Sequence, residues 1–369
     1  MKNLSGYGTH HHQVSHGKVI DEKKYLARRL PYTEGAEMST QERYSKLGPL
    51  LIEEKIHLAV HACNFFSPLN YHKMCSENGL TPDTTTRPLS VLNFLDHLTN
   101  NLNYDDAHKR SYRINQLLES LQSSGALTAM GQSNFIIAPQ SYYFLKELSE
   151  IEKRGILWLA PALGPIYLKY AYQDVTIHIT GTTSNGDMHA GTGILIDENR
   201  ILTCAHVIND MEIDKTQLIQ NTPREVLTTH VHPSIDVGVI VLRNGAATPM
   251  KSIAFREPEI TGRVHTLGYP RIPLSREPAL IMQSGEVVSE EIITIHNEKV
   301  FLYSAIARPG NSGGPIISEG GHIVGIVAQD LLNKESMDAP FYAGVPTSLI
   351  QEALNDLNIN IQLPIEKYE

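Results

Sequence analysis

A histidine, an aspartate and a serine stand at positions 206, 236 and 312, each at the edge of an apolar, β-rich run. Ser312 lies in Pro309-Gly-Asn-Ser-Gly-Gly-Pro315, just ahead of Ile316 and Ile317. A serine hydroxyl is a weak nucleophile at its free pKa and needs an adjacent base. Glycines around it let a substrate carbonyl approach the backbone, so the amides of Gly310 and Ser312 are candidates to hold a developing oxyanion. His206 ends the run Arg200-Ile-Leu-Thr-Cys-Ala-His-Val-Ile208. Its ordinary pKa suits a base near neutrality. Asp236 enters the strand-like Val237-Gly-Val-Ile-Val-Leu242. A carboxylate there is costly to bury unless it is paired, and a histidine ring N–H would pair it. The chemistry these types support is acyl transfer through a His206–Asp236–Ser312 triad.

The order His, Asp, Ser along the chain is the chymotrypsin order, and no Gly-x-Ser-x-Gly elbow surrounds Ser312. Further pieces fall in sequence: Gly191-Thr-Gly193, Ile201-Leu-Thr-Cys-Ala-His-Val207, Asp236-Val-Gly-Val-Ile240, Leu267-Gly-Tyr-Pro270, Ser284-Gly-Glu-Val-Val-Ser289, Ile323-Val-Gly-Ile-Val327 and Tyr342-Ala-Gly-Val-Pro346. Together they resemble a trypsin-like (chymotrypsin-fold) serine peptidase, in the HtrA-type pattern, over about residues 160–360. That resemblance implies a two-barrel all-β domain. It also implies Ser312 as nucleophile, His206 as base, Asp236 as its orienting partner, and an oxyanion hole from the Gly310 and Ser312 amides. His232, His265 and His322 lie near these motifs and are given no role.

Two departures from trypsin matter. Trypsin-like zymogens mature when a new N-terminus pairs with an aspartate before the serine; here that residue is Asn311, which carries no charge. Arg154-Gly-Ile-Leu157 superficially resembles a cleavage point, but Asn311 argues against its use, and activation through a partner or peptide is the expectation. The pocket for the substrate side chain maps in the fold to about 304–307, 328–330 and 342–344. Ile306, Ala328, Asp330 and Tyr342 are its candidate residues. With Ile306 where an acid would select a basic side chain, an apolar or small residue is expected; Asp330 keeps a basic preference open.

These residues need a β scaffold, and the rest of the chain differs from it in texture. The 369 residues divide into a polar, His-rich segment (1–38), a helical regulatory domain with a winged-helix-like pattern (39–155) and the peptidase domain (156–369). Ser39-Thr-Gln-Glu42 fits a capping box for a helix running to about Asn64. Pro88–Asn101 and Ser111–Gly125 carry leucines at helical spacing, and Gly125 suits a helix C-terminus. A hairpin pairing Ala126–Met130 with Asn134–Pro139, then a helix over Gln140–Arg154, resembles the end of a winged-helix domain. Lys109, Arg110 and Arg113 would sit at the start of its recognition helix, but Asp105 and Asp106 adjoin them. A final helix is expected over Thr347–Leu357, and no room for a PDZ module follows Ser312.

Apolar residues at 41% and charged residues at 19% are globular values. No apolar run is long enough for a transmembrane helix, and no signal-peptide pattern opens the chain. Three cysteines (Cys63, Cys75, Cys204) make no disulfide framework, and Cys204 reads as a small buried residue. A cytoplasmic location is expected. Residues 1–155 hold 17 Lys and Arg against 16 Asp and Glu, which leaves the acidic excess of the chain (net −9) in the peptidase half. That argues against nucleic acid or anionic membrane at this half. The tract at His10-His-His12 and His16 is not read as a metal site, and neither metal nor organic cofactor is expected.

The reading is thus an intracellular serine endopeptidase acting on protein or peptide, with an activating protein partner at the N-terminal domain. Two other readings stay open: a catalytically silent protease-like binding scaffold, and a DNA-binding regulator carrying a protease domain.

Overall fold

The computed structural model describes residues 48–131, 140–243, 247–328 and 341–367. The His-rich segment, the capping box at 39–42, the strand expected over 134–139 and Asp330 lie outside the described residues.

Among the described residues, the N-terminal part is built on helices α1 (Ile52–Phe65), α2 (Tyr71–Glu77), α3 (Val91–Asn100) and α4 (Ser111–Ser123). Helix α3 starts where Ser90 caps the Asn93 amide and Asn93 answers the Ser90 amide. Helix α4 turns Ile114, Leu117, Leu118 and Leu121 to the core and ends before Gly125, whose φ is +76°. Short strands β1 (Leu89–Ser90), β2 (Thr128–Ala129) and β3 (Ser141–Tyr143) form an antiparallel sheet in the order β1-β3-β2.

Residues 140–154 depart from the helix expected there. Ser141–Tyr143 is a strand, and only Glu152–Arg154 makes a single 3-10 turn. Tyr142 is buried between β1 and β2, while Leu145 stays exposed. Sheet pairing wins over the local apolar spacing. Among the described residues, the strand that pairs with Thr128–Ala129 is Ser141–Tyr143.

The basic residues expected at a recognition helix are largely engaged. Arg110 Nη1 lies 2.6 Å from Glu54 Oε1 and 2.8 Å from Tyr104 Oη, with 10% of its side chain exposed. Lys109 pairs with Asp106 at 2.7 Å, and Arg113 bonds Gln116 and lies over the Tyr112 ring.

Two short helices, α5 (Ala160–Leu163) and α6 (Pro165–Tyr172), lead into the β domain. They fasten the two parts together: Ser120 Oγ donates to Ala162 O at 2.6 Å, and buried Tyr172 Oη donates to Gly321 O at 2.6 Å. One hydrophobic core runs from α1 through this joint into the first β sheet.

The first sheet contains β4 (Thr176–Thr182), β5 (Met188–Leu195), β6 (Arg200–Thr203), β7 (Glu212–Ile213), β8 (Thr216–Ile219), β9 (Thr222–Val231) and β10 (Gly238–Leu242), with helix α7 (Ala205–Asn209) after β6. Its order is β7-β4-β5-β6-β10-β9-β8. Buried Gln217 draws the far strand back: its amide accepts from Thr180 N at 3.0 Å and donates to Thr180 O at 2.9 Å, replacing a ladder between β8 and β4. The second sheet contains β11 (Arg263–Gly268), β12 (Ile281–Glu286), β13 (Ile292–Ile293), β14 (Lys299–Tyr303), β15 (Pro315–Ser318), β16 (Ile323–Val327) and β17 (Tyr342–Pro346), in the order β12-β11-β15-β16-β17-β14-β13. Helix α8 (Thr347–Asp356) closes the domain. The strands alternate or run wholly apolar as their faces demand; β16 is buried at all five positions. Among the described residues, no helix is long and apolar enough to cross a membrane.

Candidate active site

His206 sits in the first turn of α7 rather than at the end of a strand. Its backbone N–H donates to Asp236 Oδ1 at 3.0 Å, and its ring Nδ1 lies 2.8 Å from Oδ2 and 3.0 Å from Oδ1. A carboxylate only accepts, so Nδ1 carries the proton and Nε2 presents its lone pair. Asp236 arrives on a loop shaped by His232. The His232 Nδ1 accepts from the Ser234 amide at 3.2 Å and the Ile235 amide at 2.9 Å, and its backbone N–H donates to Val237 O at 3.0 Å. His232, His265 and His322 have no role assigned from their sequence context. All three are buried and hydrogen-bonded, His265 to Ser284 at 2.9 Å and His322 to Glu366.

Burial works against both charges of the pair, and the pair overcomes it. Burial pushes His206 toward its neutral form, but the Asp236 hydrogen bond and charge, with Asp210 and Glu298 behind them, hold its pKa above the ordinary 6.5. Burial likewise pushes the Asp236 carboxyl up. The His206 ring, its charge and amide, and the Cys204 thiol outweigh that and hold it below 3.8. Cys204 is fully buried, and burial followed by the Asp236 charge raises its thiol well above 9.0. The Cys204 sulfur, a His206 ring nitrogen and an Asp236 oxygen lie within 4.8 Å of one another. The ring and the carboxylate are already bonded to each other, which leaves this group an acid–base arrangement.

Ser312 comes from the other sheet, on the turn that opens β15. Asn311 N donates to Arg308 O at 2.9 Å and Gly310 has φ +101°, which together make residues 308–311 a type II turn. Arg271 N holds Pro309 O at 3.1 Å, and Thr192 Oγ1 holds Gly310 O at 2.6 Å. Among the described residues, neither the Gly310 nor the Ser312 N–H has an acceptor within the protein. Two half-buried amides on one turn, without internal partners, are suited to receive an oxyanion. Gly313 then presses against the strand leading to His206: a Cβ there would meet Thr203 Oγ1 at 2.2 Å and Cys204 N at 3.0 Å. The fold thus brings the Ser312 turn against the residues just before His206. Asn311 is 3% exposed, and its side-chain Oδ1 has no hydrogen-bond partner among the described residues.

Of the candidate pocket residues, Ala328 and Tyr342 come from neighbouring strands of the second sheet. Ala328 is buried after β16, with its amide on Ala343 O. Tyr342 opens β17 opposite Tyr303, the two rings stacked with centroids 6.2 Å apart. Ile306 is 44% exposed on the segment before the turn. Two residues at the site had no assigned role in the sequence, Thr192 and the Cys204 thiol. The signal for Thr192 was a hydroxyl in the otherwise apolar run 191–195, because a buried hydroxyl needs partners.

Comparison with known proteins places this arrangement. Residues 191–326 match the trypsin-like peptidase domain family. Two curated serine proteases of Mycobacterium tuberculosis, Rv3671c (strain H37Rv) and MT3772 (strain CDC 1551), are each 29% identical over 145 residues, covering 37% of this chain and 35% of theirs. The chain thus matches about a third of the length of these relatives. The active-form crystal structure of Rv3671c protease superposes with a TM-score of 0.42 at 22% identity, over 54% of this chain and 86% of that one. An HtrA-type protease with a tripeptide gives 0.41 at 16% identity, over 52% of this chain and 63% of that one. Residues 191–326 of the all-β half are thus similar to trypsin-like peptidase domains, and the curated relatives that match are serine proteases.

Proposed function

We propose that this protein is a serine endopeptidase working through His206, Asp236 and Ser312. The observation that carries the reading is the His206–Asp236 pair, bonded on its Nδ1 side with Nε2 left as a base, beside a serine turn with two unpartnered amides. In this reading the Ser312 hydroxyl adds to the scissile carbonyl carbon as His206 Nε2 takes its proton. The Gly310 and Ser312 N–H groups receive the oxyanion. The tetrahedral adduct collapses, the C–N bond breaks, and His206 returns the proton to the leaving amine. Water, deprotonated by the same nitrogen, then hydrolyses the acyl-Ser312 ester. Asp236 keeps its charge throughout and holds the imidazole in one tautomer.

Without a charged residue at 311, a freshly cut N-terminus has no aspartate to pair with there. Activity therefore does not depend on cleavage near Arg154; N-terminal sequencing of active protein beginning near residue 155 would overturn this. Regulation falls to the N-terminal part, which we read as a winged-helix domain from its β1-β3-β2 strand order with α3 and α4 between the first two strands. Arg110 is taken up by Glu54, so this domain is read as a protein-docking rather than a nucleic-acid module. Its partner is a protein that acts on the serine turn. Three buried, unpaired cysteines suit a reducing, cytoplasmic setting, which cell fractionation would check.

The test of the activity is a fluorophosphonate probe, which reacts only with an activated serine. The wild type is expected to label and Ser312→Ala is not. No labelling of the wild type with lysate, peptide or N-terminal truncation as activator would favour a silent binding scaffold instead.

A further inference from the structure

We propose that Thr192 is a positioning residue that sets the orientation of the Pro309–Gly310 peptide, and with it the aim of the Gly310 N–H. The inference rests on the serine-protease reading above. The bond from Asn311 N to Arg308 O closes the 308–311 turn. It is common to type I and type II turns, which differ by a flip of the central peptide. That bond alone therefore cannot decide where the Gly310 N–H points. A glycine at 310 makes the flip sterically cheap.

What discriminates the two states is who holds Pro309 O, the carbonyl of the peptide that flips; Gly310 O belongs to the next peptide and keeps its place in both turn types. Pro309 O is held by Arg271 N at 3.1 Å, and Gly310 O by Thr192 Oγ1 at 2.6 Å. The same Thr192 oxygen accepts from Tyr269 N at 2.9 Å. One hydroxyl therefore ties the serine turn to the 269–271 segment that supplies the clamp on Pro309 O. Its own backbone fixes it in place: Thr192 N donates to Ser312 O at 2.9 Å, and Thr192 O accepts from Thr203 Oγ1 at 2.7 Å. Thr192 is fully buried with every polar atom engaged. Removing the hydroxyl alone leaves the Gly310 carbonyl and the Tyr269 amide without their partner and loosens the 269–271 segment, whose Arg271 N is the clamp on Pro309 O.

Thr192→Val keeps the shape and removes the hydroxyl, while Thr192→Ser keeps the hydroxyl. Hydrolysis of a peptide substrate and inhibition by a peptide aldehyde, whose adduct places an oxyanion on the turn, are measured for both. Thr192→Val is expected to lower kcat and aldehyde affinity by about 10- to 100-fold with KM changed by less than about threefold, the pattern of a weakened oxyanion donor. Thr192→Ser is expected to stay within about threefold of wild type in all three. A general loss of packing would instead lower thermal stability with no kcat-against-KM split. If Val is not accommodated, Thr192→Ala gives the same readouts.

Retention of kcat and aldehyde affinity by the hydroxyl-free variant overturns the proposal, as does an equal loss in Thr192→Ser. Should the wild type neither hydrolyse peptides nor react with fluorophosphonate, the protease reading itself fails. Crystal structures then decide the role of Thr192: a flipped Pro309–Gly310 peptide in Thr192→Val alone supports it, and the same orientation in both proteins overturns it.

Discussion

Two buried ion pairs, one in each half of the molecule, show what separates a structural pair from a chemical one. In the helical half, Arg110 and Glu54 meet at 2.6 Å with 10% and 17% of their side chains exposed. Tyr104 Oη and the Leu51 amide fill further positions around them. In the β half, His206 and Asp236 meet at 2.8 Å with 24% and 18% exposed. Burial and distance are alike. The difference is the outer edge of the imidazole, where Nε2 keeps its lone pair because Nδ1 holds the proton against Asp236. The first pair holds α1 against the start of α4. In the second, one ring atom stays available, and in the proposed function it is the base.

The comparison predicts opposite outcomes for substitutions in the two halves. The largest effect belongs to the candidate active site: Ser312→Ala is expected to lower kcat by about 10⁶-fold, with the thermal midpoint near that of wild type. Activity retained within tenfold would remove Ser312 from the chemistry. Next comes Asp236→Asn, expected to lower kcat about 10⁴-fold by supporting the wrong imidazole tautomer. Steady-state assay at saturating peptide measures it, and a loss seen only in KM would contradict the assigned role.

The Arg110–Glu54 pair should behave in reverse. Arg110→Met leaves Glu54 half-buried without its partner and is expected to cost roughly 2–3 kcal/mol of stability, below the full penalty for a completely buried charge. Denaturant titration reads the loss. At temperatures where the variant is folded, kcat/KM is expected to remain within about twofold; a large fall in kcat at unchanged stability would make this pair part of the active machinery.

The smallest effect is in the pH profile. His206 has its pKa raised above 6.5, so kcat/KM should rise with pH on a limb whose midpoint lies above 6.5, as the base sheds its proton. Stability runs the other way. The stabilising interaction of charged His206 with Asp236 is fully present below 6.5 and is lost as pH rises through the raised folded value. For Asp236, the contribution is present above 3.8 and fades as pH falls through its depressed folded value. Activity and His206-linked stability therefore move in opposite directions across the same window. Asp236→Asn should bring the activity limb down in pH; an unmoved limb would mean that another group sets it.

The site was legible to very different degrees. His206, Asp236 and Ser312 could be picked out because each is a chemically expressive residue interrupting an apolar β run. Helices α3 and α4 were legible from their leucine spacing and the glycine at 125. The segment 140–154 was misjudged because the decisive contact of Tyr142 is with two strands that lie 12 or more residues away in sequence. Gln217 looked like any polar strand residue, and only the return of β8 to β4 shows its amide serving as a ladder. Thr192 carried a faint signal, a hydroxyl among apolar neighbours, without any indication of its partners.

What the sequence determined by itself is the set of candidate reacting groups: a hydroxyl, an imidazole and a carboxylate, in an order and with glycines that suit acyl transfer. Only the tertiary structure decided their states. His206 and Asp236 are 30 residues apart, and their contact selects the tautomer. Thr192 and Gly310 are 118 apart, and their contact bears on which way a peptide plane faces. Residue type fixes which bonds a group is able to make; tautomer and peptide orientation are choices among nearly equal local alternatives. Such choices are settled by partners that folding brings from elsewhere in the chain.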